Sequence, residues 1–196
     1  WVPLESVSSA IIDNLLSNPV YAESGVPCIR SSDVEWGRLR LDTARRTDEA
    51  EDQRRTVRGE PQQDDIVFVR EGGGTGKAAI VLEGQRFSLA QRVMMVRPDK
   101  AKVEPRFFLY QLLSPQIQDG QIQPLIGGSA APHLNIRHFR KFDFALPPLS
   151  EQREVIEHLD SLIDHIDRLK TAQTATAAEL DALLPALLDQ AFTGEL

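Results

Sequence analysis

The residues that come nearest to chemistry are Glu71-Gly72-Gly73-Gly74-Thr75-Gly76-Lys77-Ala78, because glycines beside a hydroxyl and a lysine are the makings of a phosphate loop. A triphosphate loop needs glycine five residues before the glycine that precedes lysine, and a hydroxyl after the lysine to hold magnesium. Those positions are Glu71 and Ala78. A carboxylate facing the phosphates and a missing metal ligand argue against nucleotide hydrolysis. What survives is close backbone approach at the glycines. Gly74, Thr75 and Lys77, with Arg70 at the loop entry, are therefore candidate contacts to a DNA phosphate or base edge. The same composition also fits a flexible turn between two strands.

A second stretch, Gly127-Gly128-Ser129-Ala130-Ala131-Pro132-His133-Leu134-Asn135-Ile136-Arg137, alternates polar and apolar residues after a run of small ones. It predicts a loop running into a strand whose polar side faces away from the core. Ser129, His133, Asn135 and Arg137 are candidate DNA contacts there, Asn being suited to adenine and Arg to guanine or phosphate. A solvated loop accounts for them equally well. Two further constellations fail on inspection. Pro98-Asp99 with Glu104 lacks the lysine a nuclease carboxylate set needs, Arg106 standing in its place. His133, His138, His158 and His165 show no zinc-ligand spacing. No catalytic residue, metal or cofactor is expected.

The elements that position these residues divide at Leu146-Pro147-Pro148-Leu149, where two prolines end the preceding structure. Residues 1–146 balance 19 Lys/Arg against 19 Asp/Glu, whereas residues 147–196 hold three against ten, so the net charge of −7 lies in the tail. A neutral domain can still carry a basic face; an acidic tail is unsuited to a phosphate backbone. Within 1–146 the pattern predicts strands at Pro27–Arg30, Arg38–Leu41, Ile66–Val69, Ala78–Leu82 and Arg92–Val96. It also predicts a solvated charged helix over Thr43–Arg58 and a helix over Pro105–Leu113. The class is α+β, with a small curved or barrel-like sheet.

Ser150 reads as the N-cap of one long coiled-coil-like helix with Glu151 and Glu154 near its start. Val155, Leu159, Leu162, Ile166 and Leu169 repeat at intervals of four and three, and the register continues to Leu180, Leu183 and Leu187. Such a helix would run roughly 65 Å at 1.5 Å per residue. Its seam calls for a partner helix. Pro185 should kink the last turns. The single cysteine, Cys28, reads as a buried apolar group in a reduced protein. No apolar run reaches the length of a membrane span and no signal-peptide layout is present, so the cytoplasm is the expected location.

Leu146-Pro147-Pro148-Leu149-Ser150-Glu151-Gln152-Arg153, then Val155-Ile156 and the heptads, closing on Ala191-Phe192-Thr193-Gly194-Glu195-Leu196, resembles the specificity subunits of type I restriction-modification systems. Upstream, Gly25-Val26-Pro27-Cys28-Ile29-Arg30, Asp65-Ile66-Val67-Phe68-Val69-Arg70 and Phe107-Phe108-Leu109-Tyr110 stand in the order that family uses. The resemblance implies a DNA target-recognition domain over 1–146 that reads half of a bipartite site in double-stranded DNA. Over 147–196 it implies a helix that pairs with a second one and docks partner subunits. Those partners would be adenine-methylating modification subunits and a restriction/motor subunit, since this chain carries neither a methyltransferase motif nor a complete NTPase signature. The family usually has two recognition domains and two helices. This chain, beginning at Trp1 with one of each, is expected to be a homodimerising half-subunit or part of a larger protein. The family's usual glycine before Asp65-Ile66 is replaced by Asp64. The competing expectation is a scaffold protein on the same fold without DNA binding, which the acidic pI near 5.1 favours.

Overall fold

Ile66-Val67-Phe68-Val69 has no side chain suited to water, and the computed structural model buries all four in one strand. The structure describes residues 1–127 and 132–193, apart from the side chains of residues 184, 186, 187, 189 and 190. The chain forms two units, Trp1–Arg153 and Glu154–Leu196.

The strands of the first unit, in chain order, are β1 (Val2–Pro3), β2 (Ser8–Asp13), β3 (Val26–Ile29), β4 (Arg46–Thr47), β5 (Ile66–Val69), β6 (Ala78–Ile80), β7 (Ser88–Leu89), β8 (Val93–Pro98) and β9 (Asp143–Phe144). They make an antiparallel four-stranded sheet ordered β2-β8-β5-β6, a three-stranded sheet β4-β3-β7 and a two-stranded ribbon β1-β9. The α+β class holds, but these sheets remain open and none closes into a barrel. Strand side chains alternate between faces, which explains why β5 and β8 are apolar throughout. On one face Val67, Val69, Val93 and Met95 meet Ile29, Val34, Leu39, Phe87 and Leu89. On the other, Phe68 packs on Phe139 at 4.7 Å between ring centroids, and Phe139 on Phe142 at 5.4 Å. Each such burial contributes about 1.5–3 kcal/mol.

The helices are α1 (Glu49–Thr56), α2 (Pro105–Leu113), α3 (Pro115–Ile117), α4 (Gln123–Ile126), α5 (Ile136–Phe139) and α6 (Leu149–Thr193), with a π-helical turn at Gln118–Ile122. Pro105 opens α2 as expected, and Phe107, Phe108, Leu109 and Leu112 fill its buried face. Other expectations need correction. The charged helix is shorter than Thr43–Arg58 and is solvated on one face only, burying Glu51, Asp52 and Arg55; Asp48 caps it by accepting from the Glu51 N–H at 2.8 Å. Its Arg55 is buried, donating to Glu51 at 2.7 Å and to the carbonyls of Leu89 and Ser17. Arg38–Leu41 forms only an isolated bridge, Val34 with Leu39. The strand expected after His133 is the short helix α5, because the Asn135 side chain caps it. Asp64, at the position where glycine is usual in the family it resembles, adopts φ 73°, a left-handed conformation that Asp enters more readily than most residues, and its carboxylate pairs with Lys100 at 2.7 Å.

Helix α6 begins at Leu149, one residue before the predicted cap, and Pro185 lies within it without ending it. Its first turn belongs to the first unit. The Gln152 side chain, fully buried, accepts from the Glu104 N–H at 2.9 Å and donates to the carbonyls of Pro147 at 2.8 Å and Lys102 at 3.1 Å. Along the seam Val155, Leu162, Ile166, Leu169, Leu180 and Leu183 are exposed and Leu159 is half-buried; the Leu187 side chain lies outside the described residues. No helix among the described residues is long and apolar enough to cross a membrane.

Candidate nucleic-acid interface

The glycine loop joins β5 to β6, and its hydrogen bonds explain which glycines it needs. The Gly76 N–H donates to the Val69 carbonyl at 2.9 Å and the Lys77 N–H to Gly74 at 3.0 Å. Gly72 and Gly76 have φ values of 84° and 99°, where side chains are strained. A Cβ on Gly76 would also clash with the amide oxygen of Gln118, whose side-chain nitrogen donates to the Gly76 carbonyl at 2.9 Å. Gly73 and Gly74 carry no such demand: around Gly73 there is open space and around Gly74 only ordinary contact. The Thr75 hydroxyl donates to the Gly72 carbonyl at 2.7 Å, so it helps shape the turn. Lys77 is partly exposed, 3.5 Å from Glu35.

The second stretch lies beside this loop. The Gly72 N–H donates to the Pro132 carbonyl and the Leu134 N–H to the Arg70 carbonyl, each at 2.8 Å, pairing Glu71 with His133 across the two segments. Two stretches some 60 residues apart in sequence thus form one edge. His133, Asn135 and Arg137 are exposed along it, and the Glu71 carboxylate lies 3.2 Å from His133 Nδ1. The Asn135 side-chain oxygen Oδ1 accepts from the Arg137 N–H at 2.9 Å, which leaves the side-chain NH2 group as its remaining polar handle. Arg70 points inward instead: it is buried, 3.0 Å from Glu71 and 3.4 Å from Asp13. Ser129 lies outside the described residues.

Residues that the sequence reading missed complete the region. A cleft of about 270 Å³ is lined by Asn18, Tyr21, Arg30, Ser31, Ser32, Gln91 and Arg92. It is continuous with the loop, since the Ser31 carbonyl would lie 3.8 Å from a Cβ on Gly74 and the Arg92 guanidinium 3.6 Å from one on Gly72. Asp33 grips Arg30 through two hydrogen bonds of 3.0 Å each, fixing its plane. The Arg45 guanidinium stacks over the Tyr21 ring at 3.6 Å, and burial, the largest influence, holds the Tyr21 phenol above its ordinary pKa as a neutral donor. Burial likewise pushes the Cys28 thiol up, away from nucleophilic chemistry. Among the described residues no group of His, Cys, Asp or Glu is arranged to hold a metal. The region therefore offers cations, amides and hydroxyls around a concave frame whose carboxylates, Asp33, Glu35 and Glu71, stand beside basic side chains. Such a surface is fitted to bind a polyanion or the edges of bases.

An α+β unit with this polar rim and a following long helix is an arrangement that a known family shares. Residues 51–178 match the type I restriction modification DNA specificity domain, more than half of the chain, and the chain belongs to that family. It is 26% identical over 174 residues to the type I restriction enzyme EcoBI specificity subunit of Escherichia coli, covering 89% of this chain and 36% of that protein. It is 22% identical over 196 residues to the EcoKI specificity subunit of Escherichia coli K12, covering 98% of this chain and 42% of that one. The chain thus spans about two-fifths or less of these curated relatives. In fold it is similar to a chain from a type I restriction-modification assembly, at TM-score 0.75 and 24% identity over all of this chain and 46% of that chain. It is also similar to the HsdS subunit of Thermoanaerobacter tengcongensis, at TM-score 0.67 and 24% identity over all of this chain and 45% of that chain.

Proposed function

We propose that this chain is a non-catalytic, sequence-specific DNA-recognition module of a type I restriction-modification assembly. Residues 1–146 read one half of a bipartite site. Residues 147–196 pair with a second such helix, from another copy or another recognition half, and dock the modification subunits that methylate adenine and the restriction/motor subunit. The work is done in the cytoplasm, where the DNA is. The observation that carries this reading is the continuity of the Tyr21–Arg92 cleft with the glycine loop and the His133–Arg137 edge in a chain of the DNA specificity family. Phosphate contacts would position the unit through Lys77 and Arg137, and base edges would be read from the cleft and its rim.

The test is binding of the full chain to duplex DNA by fluorescence anisotropy across a salt series. Lys77→Ala and Arg137→Ala should each weaken binding uniformly across sequences and reduce the slope of log affinity against log salt by about one. Absence of duplex binding by the folded chain, alone and with a modification subunit, would overturn the reading.

A further inference from the structure

The rim of the cleft holds four arginines whose situations differ sharply. Arg30 spends its fork on Asp33, Arg70 lies between Asp13 and Glu71, and Arg45 covers Tyr21. Arg92 is exposed and, among the described residues, makes no ion pair or side-chain hydrogen bond. Its backbone is also unusual. With φ 71° it adopts the left-handed conformation, which an arginine, without a short side chain able to bond its own backbone, rarely enters. Hydrogen bonds hold this turn on both sides: the Ala90 N–H donates to the Ile29 carbonyl at 2.8 Å and the Arg70 N–H to the Arg92 carbonyl at 3.0 Å. A left-handed backbone at a rim, on a long exposed side chain with no partner among the described residues, can hold a cationic group out for a ligand.

Resting on the DNA-recognition reading above, we infer that Arg92 reads a guanine in the target duplex, its fork meeting O6 and N7 in the major groove. Arginine's planar donors match that pair of acceptors, and among the described arginines lining the cleft, Arg30 and Arg92, only Arg92 has an uncommitted fork. Gln91, the neighbouring amide suited to adenine, already donates to the Leu16 carbonyl at 2.9 Å. Gly72 leaves the space beside the guanidinium open, its missing Cβ being 3.6 Å from one terminal nitrogen. The turn is thus a rigid mount for one specific contact. Lys77 and Arg137 are left to phosphate.

The test is selection of a motif by the full chain from a randomised duplex pool, read by sequencing, for the wild type, Arg92→Gly and Arg92→Lys. Glycine suits the left-handed backbone, so Arg92→Gly should match or exceed the wild-type Tm while losing the fork. Lysine keeps the charge but cannot make the paired contact. Both variants should lose preference for one G·C position by roughly 10- to 100-fold and keep the rest of the motif. Uniform weakening of every sequence by Arg92→Gly, with the motif kept by Arg92→Lys, would make Arg92 a phosphate contact and overturn the inference. So would an unchanged motif in both variants, with DNA recognition left standing. If the wild type enriched no motif, the DNA-recognition reading would fall, and this inference with it.

Discussion

The first unit, Trp1–Arg153, completes its own core, and the helix beyond it does not. In the first, Phe68, Phe87, Phe108, Phe139 and Phe144 are all fully buried, and even the charged helix α1 turns Glu51 and Arg55 inward as a pair. In the second, Leu162, Ile166, Leu169, Leu180 and Leu183 remain 46–64% exposed on a regular seam. Both segments follow a clear hydrophobic pattern, yet only the first has elements of its own to cover it. A two-period pattern in a set of strands finds its partner within the unit, whereas a heptad pattern on one helix can be satisfied only by another helix. Under the function proposed above, the difference would separate two tasks: a frame that holds a reading surface, and a one-sided helix stabilised by association.

That contrast can be broken most forcefully in the core. Phe68→Ala removes the ring that joins β5 to α5 and should cost about 3–5 kcal/mol of unit stability in urea denaturation. The self-association expected of the seam should survive it. In the reverse direction, Ile166→Asp places a charge on the exposed seam and should shift the solution mass of the full chain, by light scattering, to monomer without moving the Tm of the first unit. A monomeric wild type would mean that the seam awaits a different chain. Within the glycine loop, Gly76→Ala should cost about 1–2 kcal/mol, from its positive φ and the Gln118 clash, while Gly74→Ala should lie within about 0.5 kcal/mol of wild type. Thermal melts of the two variants side by side decide whether the loop is a built turn or a flexible tether.

The smallest effect concerns pH. Hydrogen bonding from Arg54 first, and from Arg55, holds the Glu51 carboxyl down at about 2 despite the opposing effect of burial. A carboxyl lowered in the folded state stabilises it above the unfolded value. That contribution is therefore present at neutral pH and is lost as pH falls from near 4.5 toward 2. Glu51→Gln should flatten this part of the stability profile. An equal acid dependence in the variant would place the sensitivity elsewhere.

Where sequence reading succeeded, the determinants were local. Pro105 and the apolar face behind it define α2 within nine residues, and the uninterrupted Ile66–Val69 run announces a strand covered on both faces. The misreadings have non-local causes. His133 to Arg137 alternates as a strand should, but Phe139 must reach Phe68, and Asn135 then serves as a cap for α5. Charge density over Thr43–Arg58 reads as solvation until Glu51 and Arg55 find one another and the Leu89 carbonyl. The site was half legible for the same reason. Lys77, His133 and Arg137 could be chosen by type and loop context, whereas the inward turn of Arg70 depends on Asp13, 57 residues earlier. Arg92 carries no sequence mark, because its left-handed backbone sits in a turn bonded to Ile29 and Arg70, which are distant in sequence. Asn18, Tyr21 and Ser31 join it only through tertiary packing.

The most direct test of the division between reading surface and association helix is ultraviolet cross-linking of the full chain to duplex DNA, with the attached peptides identified by mass spectrometry. Cross-links should fall on the cleft at Tyr21 to Ser32, on the glycine loop and Lys77, on Gln91-Arg92 and on His133 to Arg137, with none along residues 154–193. Cross-links concentrated on the acidic helix, or on the first unit away from that rim, would contradict the account.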